Sequence, residues 1–244
     1  MTSLSIVIPA YNEQENVVAA VEKVSSIAQQ LKMDYEILLV NDGSRDRTGE
    51  IARAELAPRI PNFRLVEHFP NRGYGGALKA GFSAATKEVI AFIPADNQFD
   101  FSEVRTLLDK LTPDTMIVSG RRVIRQDNLI RRLNGLGWNF VVRILFGYLI
   151  KDIDCGFKVL RRDLLNHIHL ESNGAMIDTE MLAGTRARGF KIVEVPVTHL
   201  PRTAGSPTGA NFKVIFRAFR DLFKFRLRLS RELSDEKRAA QKAG

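Results

Sequence analysis

A chain of 244 residues, 45% hydrophobic and 26% charged with a mean hydropathy of -0.11, has the composition of a soluble globular protein able to bury a substantial core. Its single cysteine, Cys155, excludes an intrachain disulfide framework and the usual cysteine-based zinc sites, and fits a reducing compartment. The net charge of +8 is uneven: residues 211–244 hold ten Lys/Arg and four Asp/Glu. A basic tail on a near-neutral body points to an anionic surface, membrane or nucleic acid.

The opening run MTSLSIVIPAYNE lacks a basic region followed by a long apolar one, so it reads as a first strand rather than a signal peptide. No stretch reaches the roughly 20 apolar residues that a membrane span needs. The nearest, residues 138–150, is too short and carries Arg143. Residues 4–8 form a buried-strand pattern, and 13–31 a helix with Val17, Val21, Val24, Ala28 and Leu31 on one face. A second strand over 35–40 stops at Asn41-Asp42-Gly43-Ser44, and a helix capped by Asp46 follows from about residue 47. Next come a strand over 63–67, a Gly-rich turn, a helix through 85 and a strand over 88–93. A helix over 101–111 is entered through Asp100, with Asp100 and Glu103 resembling a capping box, and a fifth strand covers 115–119.

This alternation predicts a parallel sheet with helices on both faces. Ligands of such sheets bind beyond the carboxyl ends of strands, near a topological switch point. Four polar clusters fall at such ends, at residues 9–13, 41–44, 71–76 and 96–100. After Ser119 a basic segment, 121–132, leads into a long helix through about residue 146. A strand near 157–160, a helix over 179–188, a strand over 191–198 and a Gly/Ser/Pro loop over 203–209 follow.

The strand-end residues suit a nucleotide sugar. Asp42 can accept from a base N–H, or simply form an Asp-Gly turn. Glu13 can accept from ribose hydroxyls, or be a solvated acid of the first helical turn. Asp96 and Gln98, two apart on an extended segment, reach one hard cation whose remaining positions phosphate oxygens and water would fill. Asn71-Arg72-Gly73-Tyr74-Gly75-Gly76 fits neither the P-loop nor the dinucleotide fingerprint, and its glycines instead permit a tight turn close to a ligand. On a helical wheel, Phe212, Ile215, Phe216, Phe219, Leu222, Phe223, Leu227 and Leu229 fill one arc, with Lys213, Arg217, Arg220, Lys224 and Arg228 beside it. Such a helix lies in a membrane interface or packs on the protein's own core. A nucleic-acid helix has little use for so many Phe, so no nucleic-acid partner is expected. Residues 234–244 read as a polar, frayed end.

With Ile6-Val7-Ile8-Pro9-Ala10-Tyr11-Asn12-Glu13, Val40-Asn41-Asp42-Gly43-Ser44-Arg45-Asp46, Asn71-Arg72-Gly73-Tyr74-Gly75, Ala95-Asp96-Asn97-Gln98 and Asp152-Ile153-Asp154-Cys155-Gly156-Phe157-Lys158, the chain resembles glycosyltransferase family 2. Within it, the chain resembles the dolichyl-phosphate and undecaprenyl-phosphate sugar synthases. The likeness runs on through Val195-Pro196-Val197 and the loop 202–205.

The resemblance implies an α/β GT-A fold: a single Rossmann-like, mostly parallel sheet with helices on both faces and a C-terminal amphipathic helix. A catalytic domain over 1–210 would divide into a nucleotide-binding half (1–119) and an acceptor half (120–210). An interfacial helix over 211–230 and a polar tail over 231–244 would follow. The implied activity is inverting, metal-assisted transfer of a sugar from a UDP- or GDP-sugar to a polyprenyl phosphate, at the cytoplasmic face of a membrane. The partners are then the nucleotide sugar, the polyprenyl phosphate, an anionic membrane surface and a separate membrane subunit. Pro9, Tyr11, Glu13, Asp42, Gly73 and Asp96 would line the nucleotide-sugar site, and Asp96 and Gln98 would address Mg2+ or Mn2+. Arg121 and Arg131 or Arg132 would face phosphate, with Asp152 and Glu180 as matching acids. Arg202 and Lys213 would meet the acceptor phosphate.

Two departures stand out. Pro94 replaces the first acid of the family's Asp-x-Asp motif, and the Ser-Lys pair of the dolichyl enzymes is replaced around Pro207-Thr208. Alternative readings are a transferase for a soluble or protein acceptor, and a weakened sugar-nucleotide-binding subunit.

Overall fold

The computed structural model describes residues 3–123, 129–202 and 212–243, with the backbone alone described over 129–134 and 212–218 and at 240 and 243. Seven strands form one sheet: β1 (Leu4–Ala10), β2 (Tyr35–Asn41), β3 (Phe63–Glu67), β4 (Val89–Phe92), β5 (Thr115–Arg122), β6 (Lys158–Arg161) and β7 (Lys191–Val197). Their order is β3-β2-β1-β4-β6-β5-β7. Every residue of β1, β2 and β4 is buried, as continuous apolar runs require when both faces of a parallel sheet are covered. The order reverses between β1 and β4: β2 and β3 lie to one side of β1, and the later strands to the other. That is the switch point at which such sheets open a crevice.

One strand departs from the expected direction. β6 pairs antiparallel with both β4 and β5, whereas β5 and β7 are parallel. Ser119, near the end of β5, lies opposite Lys158, the first residue of β6. The segment between them therefore leaves and re-enters the sheet at the same carboxyl edge, and keeps its residues on the side of the crevice.

Helices cover both faces. Helix α1 (Val17–Gln30), α2 (Thr48–Ile51, widening into a π turn over Ala52–Leu56) and α4 (Val104–Asp109) bury their apolar sides with Ile6, Ile8, Ile37 and Leu39 in one layer. Helix α3 (Tyr74–Ala84), α5 (Leu129–Phe146), α6 (Met176–Ala187) and α7 (Phe212–Ala243) close the other layer over Val7, Leu38, Ile90 and Phe92.

Three local expectations change. Helix α1 starts at Val17 instead of residue 13, because Glu13 to Asn16 form a turn in which the Glu13 carbonyl accepts from the N–H of Asn16 (2.9 Å) and of Val17 (2.8 Å). Asp100 does cap, accepting from Ser102 N at 2.9 Å, but the Glu103 carboxylate does not close the box. It accepts instead from the N–H (3.0 Å) and hydroxyl (2.9 Å) of Thr198.

The third change concerns the tail, where α7 continues to Ala243 and neither ends at residue 230 nor frays from 234. Arg188 of the α6 end pairs with Glu232 at 3.2 Å and Glu236 at 2.5 Å, holding that later stretch. Leu222, Phe225 and Leu229 are buried in the core, whereas Phe223 and Leu227 face outward at 54% and 62% exposure. The expected single apolar arc is thus split between core and surface. Arg228 leaves the expected basic stripe to pair with Glu180 (2.9 Å), Glu171 and Glu232 (3.4 Å).

Candidate functional site

The carboxyl ends of β1 and β4 run on together past the sheet. Ile93 N donates to Val7 O (3.1 Å) and Ala95 N to Pro9 O (3.3 Å), which sets Asp96 beside the Ala10–Glu13 turn. Asn97, at φ 57°, bends the chain there, its side-chain amide donating to Asn16 O at 3.1 Å. Asp96 Oδ1 accepts from Gln98 N at 3.1 Å. Glu13 is fixed from two sides: its N–H donates to Thr48 Oγ1 (2.9 Å), and its Oε2 accepts from Asn16 Nδ2 (2.6 Å).

A distant segment completes the cluster. Leu200 N donates to Gln98 O at 2.8 Å, and Phe99 forms an antiparallel bridge with His199. This short ladder delivers Arg202, whose guanidinium donates to Glu13 Oε1 at 3.0 Å and lies 3.5 Å from Asp96 Oδ2. Burial lifts the Glu13 carboxyl above its ordinary range, against the pull of Asn16 and Arg202.

Asp42 organises the neighbouring wall. Its Oδ1 accepts from Arg72 N (2.8 Å) and its Oδ2 from Asn71 Nδ2 (2.8 Å), so the turn before α3 is tied to the end of β2. His68 Nδ1 is 3.2 Å from Oδ1 but off the hydrogen-bonding line. Burial raises the Asp42 pKa despite these contacts. Gly73 is required twice over: φ is +83°, and a Cβ there would stand 2.5 Å from Asn173 O. The Asn71–Gly76 turn is therefore pressed against the loop that leads into α6.

The chemistry of the cluster fits a hard divalent cation with ligand oxygens from elsewhere. One guanidinium already bridges two carboxylates, Glu13 and Asp96, at the mouth of the crevice. Among the described residues, no group of three His, Cys, Asp or Glu side chains converges as a self-sufficient metal site. A cation here would draw part of its coordination from a diphosphate.

The expected site residues do not all converge. Pro9, Tyr11, Glu13, Asp42, Gly73 and Asp96 lie around the ends of β1, β2 and β4. Gln98 follows, and its side-chain amide nitrogen donates to Leu200 O at 3.4 Å, so its amide oxygen is the atom that could address a cation. Arg121, the last residue but one of β5, lies opposite Pro196. Asp152 is held in a bidentate pair with Arg122 (2.8 and 2.7 Å) and also accepts from Arg122 N at 3.1 Å. Its carboxylate is thereby committed to a neighbour. Glu180 is buried and accepts from Glu171 N (3.0 Å) and Ser172 N (2.8 Å), so it shapes the loop under Gly73 and is no surface acid. The side chains of Arg131, Arg132 and Lys213, and the loop at Pro207-Thr208, lie outside the described residues.

Tyr74, Asp154, Lys158 and Asp178 had no role assigned from the sequence, although the first three lie in segments that carry the family resemblance. Lys158 had a signal, since a lysine inside Phe157-Lys158-Val159-Leu160 must find a buried partner.

Comparison with known proteins places this geometry. The family model described as glycosyl transferase family 2 matches residues 5–168. An undecaprenyl-phosphate 4-deoxy-4-formamido-L-arabinose transferase of Pectobacterium carotovorum is 31% identical over 216 residues, 87% of this chain and 64% of that protein. A dolichyl-phosphate beta-glucosyltransferase of Trichomonas vaginalis is 30% identical over 212 residues, 80% of this chain and 64% of that protein. The chain thus spans 64% of the length of these curated relatives. Among solved structures, glucosyl-3-phosphoglycerate synthase from Mycobacterium tuberculosis, crystallised with Mn2+, UDP and its product, superposes with a TM-score of 0.71 at 20% identity. The match covers 93% of this chain and 80% of that one, and it shows the shared GT-A fold. The same enzyme has also been crystallised with Mg2+ and UDP.

Proposed function

The chain belongs to glycosyl transferase family 2, and on that premise we propose that it transfers a sugar, with inversion, from a UDP- or GDP-sugar to a polyprenyl phosphate. The observation that carries this reading is the meeting of Glu13, Asp96 and Arg202 at the switch point between β1 and β4. The polyprenyl-phosphate acceptors in the names of the two curated relatives support the choice of acceptor.

Tyr11, Glu13 and Asp42 hold the nucleoside, with Pro9 and Gly73 as close backbone walls. Asp96 and the Gln98 amide oxygen would hold Mg2+ or Mn2+, which when bound would neutralise the leaving diphosphate. Arg202 then exchanges its carboxylate partners for the acceptor phosphate, a planar fork meeting phosphate oxygens. Arg121, near the carboxyl end of β5, faces that phosphate, Arg131 is the second arginine assigned to it from the sequence, and Asp152 steadies Arg122. A phosphate monoester is already anionic near neutral pH, so positioning and charge stabilisation suffice without a strong general base.

Membrane contact is proposed through a surface built by two helices. Leu136, Phe140 and Ile144 repeat every four residues on α5 at 66%, 65% and 67% exposure, and α7 adds Phe223 and Leu227. The helices are joined by Trp138 against Phe219 (5.7 Å between centroids) and Phe146 stacked on Phe225 (5.2 Å). Arg143 and Arg226 lie over Tyr148 and Phe146, giving the apolar surface a basic fringe for anionic headgroups. Among the described residues, no helix is long and apolar enough to cross a membrane. The site would face the cytoplasm, where nucleotide sugars are available.

A donor screen tests the proposal: release of UDP or GDP is measured from each nucleotide sugar, with and without polyprenyl phosphate. Release that depends on the lipid phosphate is expected for one donor. Equal release onto a soluble acceptor, with no response to the lipid, would sink the assignment of the acceptor.

A further inference from the structure

Next to Asp96 lies a second group of polar side chains with no part in holding the nucleotide or the cation. The bend that carries Asp154 is pressed onto the Asp96 loop: a Cβ at Gly156 would stand 2.8 Å from Pro94 Cγ and 3.8 Å from the Phe99 ring. From the opposite side comes Tyr74, the first residue of α3. Its approach is fixed by Gly75, where a Cβ would fall 2.4 Å from Ser172 O.

Lys158 ties these parts together. Its ammonium is fully buried and donates to the carbonyls of Ile153 (3.1 Å) and Cys155 and to Asp178 Oδ1 (2.5 Å). It thereby clamps the bend on both sides of Asp154 and balances the charge of Asp178. Arg122 balances Asp152 in the same way.

Two polar groups remain without partners. Asp154 has no hydrogen bond and no ion pair among the described residues. The Tyr74 hydroxyl is wholly buried and has none either, although Asp178, Asp154 and Asp96 are close enough for their charges to hold its proton. The buried Tyr74 donor left unmet is costly to the fold, since buried polar groups otherwise find partners, whereas half-buried Asp154 keeps an acceptor within reach of a ligand. Ligand hydroxyls would supply them.

We propose that Asp154 and the Tyr74 hydroxyl form the subsite for the hydroxyls of the transferred sugar, and that the unbalanced Asp154 carboxylate favours neutral or amino sugars over uronic acids. This rests on the nucleotide-sugar reading above. The carboxylate accepts from a sugar O–H or ammonium, while the phenol donates to a sugar oxygen. Among the described residues here, the three carboxylates of Asp152, Asp154 and Asp178 already outnumber the two cations Lys158 and Arg122, and a uronate would add a further negative charge.

The test is calorimetric titration of the full chain, with Mn2+ present, using UDP, UDP-glucose, UDP-glucuronate, GDP and GDP-mannose. Wild type is compared with Asp154→Asn and Tyr74→Phe. Each variant should bind the bare nucleotide as wild type does, which also certifies its fold, and bind the neutral sugar donor about tenfold more weakly, as loss of a charge-assisted bond implies. Asp154→Asn should also narrow the preference for neutral donor over glucuronate by about tenfold. Unchanged affinity for the sugar donors in both variants overturns the subsite. Parallel loss of bare nucleotide and sugar donor overturns it too, since that marks a structural role. Failure of wild type to bind either nucleotide defeats the glycosyltransferase reading itself, and the subsite with it.

Discussion

Arg202 donates to Glu13 Oε1 at 3.0 Å across 189 residues of sequence, and the same nitrogen lies 3.5 Å from Asp96 Oδ2. A guanidinium seated between two carboxylates competes with any other cation for their oxygens. On the proposed function, binding of a divalent ion and release of Arg202 toward an incoming phosphate would thereby be coupled.

Removing that competitor has opposite effects on binding and on turnover. In Arg202→Ala, Mn2+ should bind about fivefold more tightly without nucleotide, the worth of a partly exposed ion pair. Transfer to polyprenyl phosphate should fall about 100-fold, the usual loss for one preorganised donor at a developing charge. Calorimetry and initial rates read the two effects separately. Weaker Mn2+ binding in the variant would show that Arg202 supports the cation and does not compete with it.

The two-helix surface makes its own prediction. Phe140→Asp, Ile144→Asp and Phe223→Asp, combined, should abolish flotation with vesicles containing anionic lipid, because three carboxylates replace the apolar row proposed to insert. Binding of nucleotide should be untouched, since none of the three residues lies near the crevice ends of β1, β2 and β4. Undiminished flotation would assign the row to a protein partner.

Asp154 also predicts a pH dependence of stability. Burial, with Asp178 nearby, pushes its pKa up to about 6 from an ordinary 3.8. The folded chain therefore holds a proton that the unfolded chain has already released, and stability falls as pH rises from about 4 to about 6, staying lower above. Asp154→Asn lacks that loss. It should match wild type near pH 4 and exceed it above pH 6 by on the order of 1–2 kcal/mol in urea unfolding. A variant less stable than wild type at pH 7 would mean that the Asp154 charge is satisfied in the fold.

Some of this was legible in the sequence and some was not, for physical reasons. Strand ends such as Pro9–Glu13 and Asn41–Ser44 announce themselves because an apolar run stops at turn-forming polar residues. The direction of β6 does not, since a four-residue strand of Lys158–Arg161 reads alike from either end. Periodicity placed Leu222 and Phe223 on one arc of α7, but which of them faces the core depends on α6 and α5, and no wheel contains those helices. Arg202 was visible as a basic loop residue, while its seat beside Glu13 required the ladder between Gln98 and Leu200. Glu180 and Asp152 were expected near the site because they match acidic positions of the family, and their burial was not visible in the sequence. Here Arg228 and Arg122 account for their burial.

The role proposed for Asp96 is to hold the cation that neutralises a nucleotide-diphosphate leaving group. Its most direct measurement is UDP or GDP release from the preferred donor, with polyprenyl phosphate, as Mn2+ or Mg2+ is titrated against wild type and Asp96→Ala. Wild-type activity should depend strictly on the divalent ion and be abolished by EDTA, and the variant should fall by about 1,000-fold in a way that excess metal does not restore. Turnover in Asp96→Ala close to wild type, or full activity in EDTA, would contradict it.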